Sequence, residues 1–193
     1  GLGAWVRVAD HRLHDLRQRA NVQIFTQSRL CPDEVLELGI PNVFVATGSR
    51  WRRDGIGRST LRKPPIIDAQ SIILTPDDLT TGNMPPQGTV VIYDDDHAYI
   101  AGVVAEKLAQ DGYNVVFVTP ESLVSSFTVL TLEQHRIQAR LLELSVTIIC
   151  NHSLAQIGPD RIEIFCGFTD RIQTVACTSV VLVTERLRET ELY

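Results

Sequence analysis

The chain has 193 residues, 44% hydrophobic and 21% charged, enough to bury a substantial core. A net charge of -5 gives no general attraction to nucleic acid or to an anionic membrane. No apolar run reaches the about 18 residues of a membrane span and no basic-then-apolar signal opens the chain, so a cytoplasmic location is expected.

Gly1-Leu2-Gly3-Ala4-Trp5 lacks an initiator methionine and leads directly into a helix-like stretch, Val8 to Ala20, as expected of a segment of a longer protein. His11 and His14 lie at i and i+3 on that stretch, a spacing that suits a metal. No third ligand is near, and a solvated helix face is expected. Asn21 to Thr26 reads as a short strand. Pro32 suits a first helical position, Asp33 and Glu34 its positive end, and Gly39 its C-terminal cap.

Asn42 to Gly48, NVFVATG, is apolar and β-branched enough for a buried strand ending in a small-residue turn. A basic loop follows, in which Arg50, Arg52, Arg53, Arg58, Arg62 and Lys63 surround Trp51 with only Asp54 in opposition. Such a loop is expected to be solvated, with a phosphate or an acidic partner as the functional alternative. Thr75-Pro76-Asp77-Asp78 has the cap, proline and carboxylate order of a helix start, and Thr81 to Gly88 reads as a linker.

Thr89 to Pro120 organises the chain. Thr89 to Tyr93 and Asn114 to Val118 read as strands buried on both faces. Ile100, Val103, Val104 and Leu108 recur at helical spacing between them, and Gly112 stops the helix. This is a βαβ unit of the kind that holds a dinucleotide, in which glycines after the first strand let a pyrophosphate approach the helix N-terminus. With Tyr93 ending the strand, the glycine positions of G-x-G-x-x-G fall on Asp94, Asp96 and Tyr99. Two are carboxylates and one is bulky, so NAD(P) binding is not expected. Asp94, Asp95 and Asp96 are expected to form an acidic surface loop that caps the following helix or meets a neighbouring domain.

Farther on, Thr131-Leu132-Glu133-Gln134 has a capping-box pattern, and Ile137, Leu141 and Leu144 share a helix face. Val146 to Cys150, Arg161 to Cys166, Arg171 to Ala176 and Ser179 to Thr184 read as strands, the middle two as a hairpin. Cys31, Cys150, Cys166 and Cys177 lack C-x-x-C spacing and read as buried free thiols. Hydrolase motifs are absent. The acidic loop also resembles the start of a two-component receiver domain. No aspartate occurs between Asp111 and Gly158 to accept a phosphoryl group, and Lys107 is the last lysine, which disfavours that reading.

VFVATG at Val43 to Gly48 echoes VVLVTE at Val180 to Glu185, suggesting two related units of which the first lacks its beginning. The series VFVATGSRW, the linker, VVIYDDDHAYIAGVVAEKLAQDGYNVVFVTP and SVVLVTER resembles the C-terminal half of the trimethylamine dehydrogenase family, within the old yellow enzyme and dienoyl-CoA reductase class of flavoproteins. The similarity spans essentially the whole chain. It implies an α/β, Rossmann-like FAD/NAD(P)-binding three-layer fold in two units, the first without its N-terminal βαβ. Residues 1–83 would be the remainder of an FAD- or ADP-binding-like domain and 84–193 an NAD(P)-binding-like domain with a degenerate glycine loop. It further implies an oxidoreductase parent, an amine dehydrogenase or N-demethylase that is homo-oligomeric and holds FMN and an iron-sulfur cluster in N-terminal domains, with an electron-transfer flavoprotein as partner. This portion would be a scaffold without catalytic or metal residues of its own. Ala46, Thr47 and Gly48, with Arg50 and Trp51 reaching a phosphate or adenine, would contact ADP or FAD weakly. The alternative is a stand-alone regulatory or interaction module with a degenerate nucleotide fold.

Overall fold

The computed structural model describes Ala4 and residues 6–192, so Gly1-Leu2-Gly3 and Trp5 of the opening segment lie outside the described residues. Packing groups Gly1–Gly48 with Arg188–Tyr193 as one unit and Ser49–Leu187 as another. The expected division near residue 83 separates ancestral halves. Packing divides the chain at residue 48 instead, because short strands within 49–83 are hydrogen-bonded into the sheets that follow.

The first unit contains α1 (Val6–Arg17) and α2 (Pro32–Glu37). On α1, His11 pairs with Asp15 and His14 with Gln18 on an exposed face. Pro32 opens α2 and the Glu34 carboxylate accepts the Cys31 amide at 2.7 Å, while Gly39 follows in the left-handed region at φ 62°. The strands expected at Asn21 to Thr26 and Asn42 to Gly48 do not form. A β-branched run becomes a strand only where a neighbour pairs its amides, and among the described residues none does so here. Phe44 is consequently 94% exposed.

The second unit runs β1 (Ser49–Trp51), β2 (Ile66–Ile67), β3 (Ile73–Leu74), α3 (Pro76–Thr80), β4 (Thr89–Asp94), α4 (Tyr99–Gln110), β5 (Asn114–Val118), a 3-10 turn (Ser126–Val129), α5 (Gln134–Glu143) and β6 (Thr147–Ile149). There follow β7 (His152–Ile157), β8 (Arg161–Cys166), β9 (Ile172–Ala176), β10 (Ser179–Val183) and β11 (Arg186–Arg188), the last paired with β1. A five-stranded parallel sheet has the order β3-β10-β4-β5-β6, and a second sheet the order β2-β7-β8-β9. The period-2 alternation of a strand divides β4 between two cores. Val90 and Ile92 pack with Val104, Leu108 and Phe117 on the side of α4. Val91 and Tyr93 pack with Leu154, Ile157, Ile162 and Ile164 of the second sheet. The parallel sheet is thus the middle of three layers, which is why its strands read as unbroken apolar runs.

The hairpin expected from the sequence is present as β8 and β9. Its partner β7 has no clean alternation, because a register shift between Leu154 and Gln156 turns both Leu154 and Ile157 into the core three residues apart. The helix α5 begins at Gln134 rather than through a Thr131 capping box. Thr131 and Glu133 instead bond the Tyr99 hydroxyl, an interaction from outside the local sequence. Of the four thiols expected to be buried only Cys177 is so, and Cys31 is exposed because it lies in the unit without a sheet.

The helix α3 forms as read. The Asp78 carboxylate accepts the Thr75 amide at 2.7 Å and hydroxyl at 2.9 Å, and is paired with Arg53 at 2.7 Å. Asp78→Ala is expected to lower stability by about 1–2 kcal/mol, through loss of the cap and release of Arg53. Urea unfolding should show it as a lower midpoint at unchanged slope.

Candidate functional site

The strand order reverses between β4 and β10: from β4 the chain proceeds to β5 and β6 on one side and returns as β10 on the other. In open parallel sheets ligands bind outside the carboxyl ends of the strands at such a reversal. Here that position is built from Asp94, Asp95, His97 and the end of β10.

The strand β4 continues one residue beyond Tyr93, so Asp94 enters the sheet, paired with Val183. Its Oδ1 accepts the His97 amide at 2.9 Å, and His97 takes a left-handed φ of 64° that turns the chain into α4. The Asp95 and Asp96 amides both donate to the Val183 carbonyl, at 2.9 and 3.1 Å. The Asp95 carboxylate accepts the Ser59 amide at 2.9 Å and lies 3.3 Å from His97 Nε2, with Glu121 4.0 Å from the same nitrogen. Asp94 and Asp95 are both 0% exposed and His97 is 3% exposed. The triplet is therefore not the acidic surface loop expected from its sequence. Its first two carboxylates are buried because amides and an imidazole from elsewhere in the fold receive them.

The basic loop is likewise folded rather than solvated. Arg52 pairs with Asp54 at 2.7 Å and Glu185 at 3.2 Å. The Arg58 guanidinium lies 4.8 Å from the Phe127 ring centroid and the Lys63 ammonium 5.3 Å from that of Phe165. Gly55, Gly57 and Thr60 are buried. The Thr60 hydroxyl donates to the Gly55 carbonyl at 2.7 Å and accepts the Gly57 amide at 2.8 Å, closing a compact turn. The two glycines in RRDGIGRS were the one local signal that this loop approaches something closely. A Cβ on Gly57 would overlap the Asp95 carboxylate.

The five residues expected to meet ADP or FAD are divided between the units. Ala46, Thr47 and Gly48 are exposed in the first, where the Thr47 hydroxyl donates to the Glu189 carbonyl at 3.4 Å and Gly48 has φ 85°. In the second unit Arg50 is exposed, whereas Trp51 is 8% exposed and packed in the core with Arg186 4.3 Å above its ring. Among the described residues no group of three His, Cys, Asp or Glu is placed to hold a metal, and no helix is long and apolar enough to cross a membrane.

Residues 74–179 match the family model of the OYE-like second alpha/beta domain. The chain belongs to that family. Over its whole length it is 40% identical to histamine dehydrogenase from Rhizobium sp. 4-9, with a TM-score of 0.94, covering 30% of that chain. It is 37% identical to 6-hydroxypseudooxynicotine amine oxidase from Pseudomonas geniculata N1, TM-score 0.92, covering 29% of that chain. Dimethylamine dehydrogenase of Hyphomicrobium sp. (strain x) is 28% identical across the whole of this chain, which spans 29% of that relative. These findings bear out the resemblance to the trimethylamine dehydrogenase family.

In this OYE-like domain the buried cluster holds protons more tightly than solvent-exposed groups do. Burial pushes the Asp94 carboxyl from 3.8 up to about 7, offset only in part by the His97 amide and imidazole. Burial alone would lower His97 below 6.5, but the hydrogen bond to Asp95 and the charges of Asp94, Asp95 and Glu121 override it and raise the imidazole. Both groups bind protons more tightly folded than unfolded. Their contribution to stability is therefore complete at acid pH and lost as the pH rises: from 3.8 through about 7 for Asp94, and from 6.5 upward for His97. Melting temperature is expected to fall between mildly acidic pH and pH about 8. Asp94→Asn, which cannot ionise, should flatten that fall by on the order of 2 kcal/mol when stability is measured across the range.

Proposed function

We propose that this domain is a Rossmann-like, non-catalytic part of a flavin-dependent amine dehydrogenase or N-demethylase, an oxidoreductase acting on amine C-N bonds. The reading is supported above all by the agreement in sequence and fold, at 40% identity, with histamine dehydrogenase along the full length of this chain. In that reading an FMN and an iron-sulfur cluster in N-terminal domains of the longer, cytoplasmic and homo-oligomeric protein supply amine oxidation and one-electron transfer. This chain's residues contribute framework, a nucleotide contact and docking surface.

The dinucleotide position at the end of β4 does not fit NAD(P). A pyrophosphate needs bare backbone and a positive helix end. It would meet Asp94, Asp96 and the Tyr99 ring, whose hydroxyl is committed to Thr131 and Glu133. The electrons therefore leave to a protein acceptor, of which an electron-transfer flavoprotein is the type the resemblance implies. Because Arg52 and Arg53 are paired internally and Arg58 and Lys63 lie over rings, the exposed cations that remain for steering such an acidic partner are few, and the salt dependence of docking should be shallow.

The segment Ala46-Thr47-Gly48, with Arg50 beside it in sequence, is the contact assigned to ADP or FAD. Gly48 fits that role: its backbone is left-handed and no atom lies within 4 Å of the point where a Cβ would stand, so a ligand can approach its main chain. Trp51 supports the segment from the core rather than by stacking on an adenine. Gly48→Val, strained at φ 85°, is expected to weaken ADP binding by the full-length protein about ten-fold, roughly 1.4 kcal/mol. Titration calorimetry giving an unchanged affinity would place the nucleotide elsewhere.

The decisive assay is steady-state turnover of the full-length protein with an amine and each of NAD⁺, NADP⁺ and a flavoprotein acceptor. Turnover is expected with the protein acceptor alone, and efficient reduction of either nicotinamide would overturn the proposal.

A further inference from the structure

The crevice at the β4/β10 strand-order reversal contains a segment of the chain's own sequence. The turn Gly55–Thr60 reaches it from one side: Ser59 donates its amide to Asp95 and shares a hydrogen bond with the Tyr93 hydroxyl at 2.9 Å, and Gly57 lies against the Asp95 carboxylate. The loop after β5 reaches it from the other: the Phe127 amide donates to the His97 carbonyl at 2.9 Å, and Ser125, buried, stands close to Gly102 of α4. Arg58 over Phe127 ties the two loops together. At the root of the turn the Arg52 amide donates to the Glu185 carbonyl at 2.9 Å just beyond β10. A ligand at the switch point would have to displace a turn already closed by the Thr60 hydroxyl, and such a preorganised segment binds with little loss of conformational freedom.

We propose that Gly55–Thr60 is an in-cis occupant of the dinucleotide crevice, held by the Asp95 carboxylate, and that this plug excludes nicotinamide dinucleotides independently of the missing glycines. The inference rests on reading the domain as a dinucleotide-type fold. In this arrangement Asp95 is a positioning residue: it offers to the Ser59 amide an acceptor where a ligand's phosphate or ribose would otherwise lie. Replacing glycines alone would leave the crevice filled.

The test uses the full-length protein and native-state hydrogen exchange. Asp95→Ala should speed exchange of the Ser59 amide by about ten-fold or more while β4 and β10 stay protected, and Asp95→Asn, which keeps an acceptor oxygen, should stay near the unaltered protein. Gly57→Ala, whose Cβ overlaps Asp95, expels the same turn without altering β4 and serves if Asp95→Ala does not fold. NADH binding is then titrated with saturating ADP present to fill any other nucleotide site. Asp94→Gly with Asp96→Gly should show no binding at millimolar concentration. Adding Asp95→Ala or Gly57→Ala should tighten it at least about ten-fold. Binding from the glycine pair alone with Ser59 still protected would overturn the plug, as would an unmoved Ser59 amide in both expulsion variants, or no gain in binding once that amide exchanges freely. Tight NADH binding by the unaltered protein would instead sink the functional reading itself, so the two failures are distinct.

Discussion

The constraint on which the second unit depends is the burial of the Asp95 carboxylate. A charge removed from water costs several kcal/mol unless it is paired and hydrogen-bonded, and here the Ser59 amide and His97 meet it. Each of those partners imposes a further condition. To deliver the Ser59 amide, the chain must approach so closely that Gly57 has no room for a side chain. To deliver the imidazole, His97 must turn through a left-handed conformation that the Asp94 carboxylate holds from its other end. A single acidic residue thereby joins the end of β4, the start of α4 and a turn 36 residues upstream.

This arrangement accounts for how a nucleotide-type architecture can be kept while its chemistry is given up. The layers need β4, β5 and β10 to bury both faces, and that demand falls on Val90 to Tyr93, Val115 to Val118 and Val180 to Val183. The carboxyl edge carries no such packing demand, so its residues are free to serve another purpose. In this chain they receive the protein's own backbone. The same edge stores protons, since Asp94 is buried beside His97, and it links the integrity of the unit to pH through groups that touch no ligand.

The first unit is built the opposite way. It has helices and an extended apolar segment but no sheet to receive them, and Val43, Phe44, Leu36 and Leu38 remain exposed. Apolar character predisposes a segment to be buried; burial itself requires a partner surface, and the pairing of Asn42 to Gly48 is a property of a neighbour rather than of those seven residues.

Local periodicity and backbone chemistry are enough to specify a large part of this chain. The double-faced strands β4, β5 and β10, the helix α4 ended by Gly112, the capped α3 and the β8–β9 hairpin were legible because their signals lie within a few residues of one another. So was the absence of a glycine cradle at Asp94, Asp96 and Tyr99. The remainder was settled by packing between distant segments. Packing put β10 between β3 and β4, and bulged β7 so that its alternation became unreadable. It moved Trp51 from an expected ligand contact into the core, and it turned an acidic run and a basic run, each expected in solvent, toward one another. The physical reason is common to all of these: whether a charge, a strand or a ring is exposed depends on what lies across from it. For Asp95 that is Ser59, for β10 it is β3 and β4, and for Trp51 it is Arg186, and none of these pairings is written in the spacing of neighbouring residues.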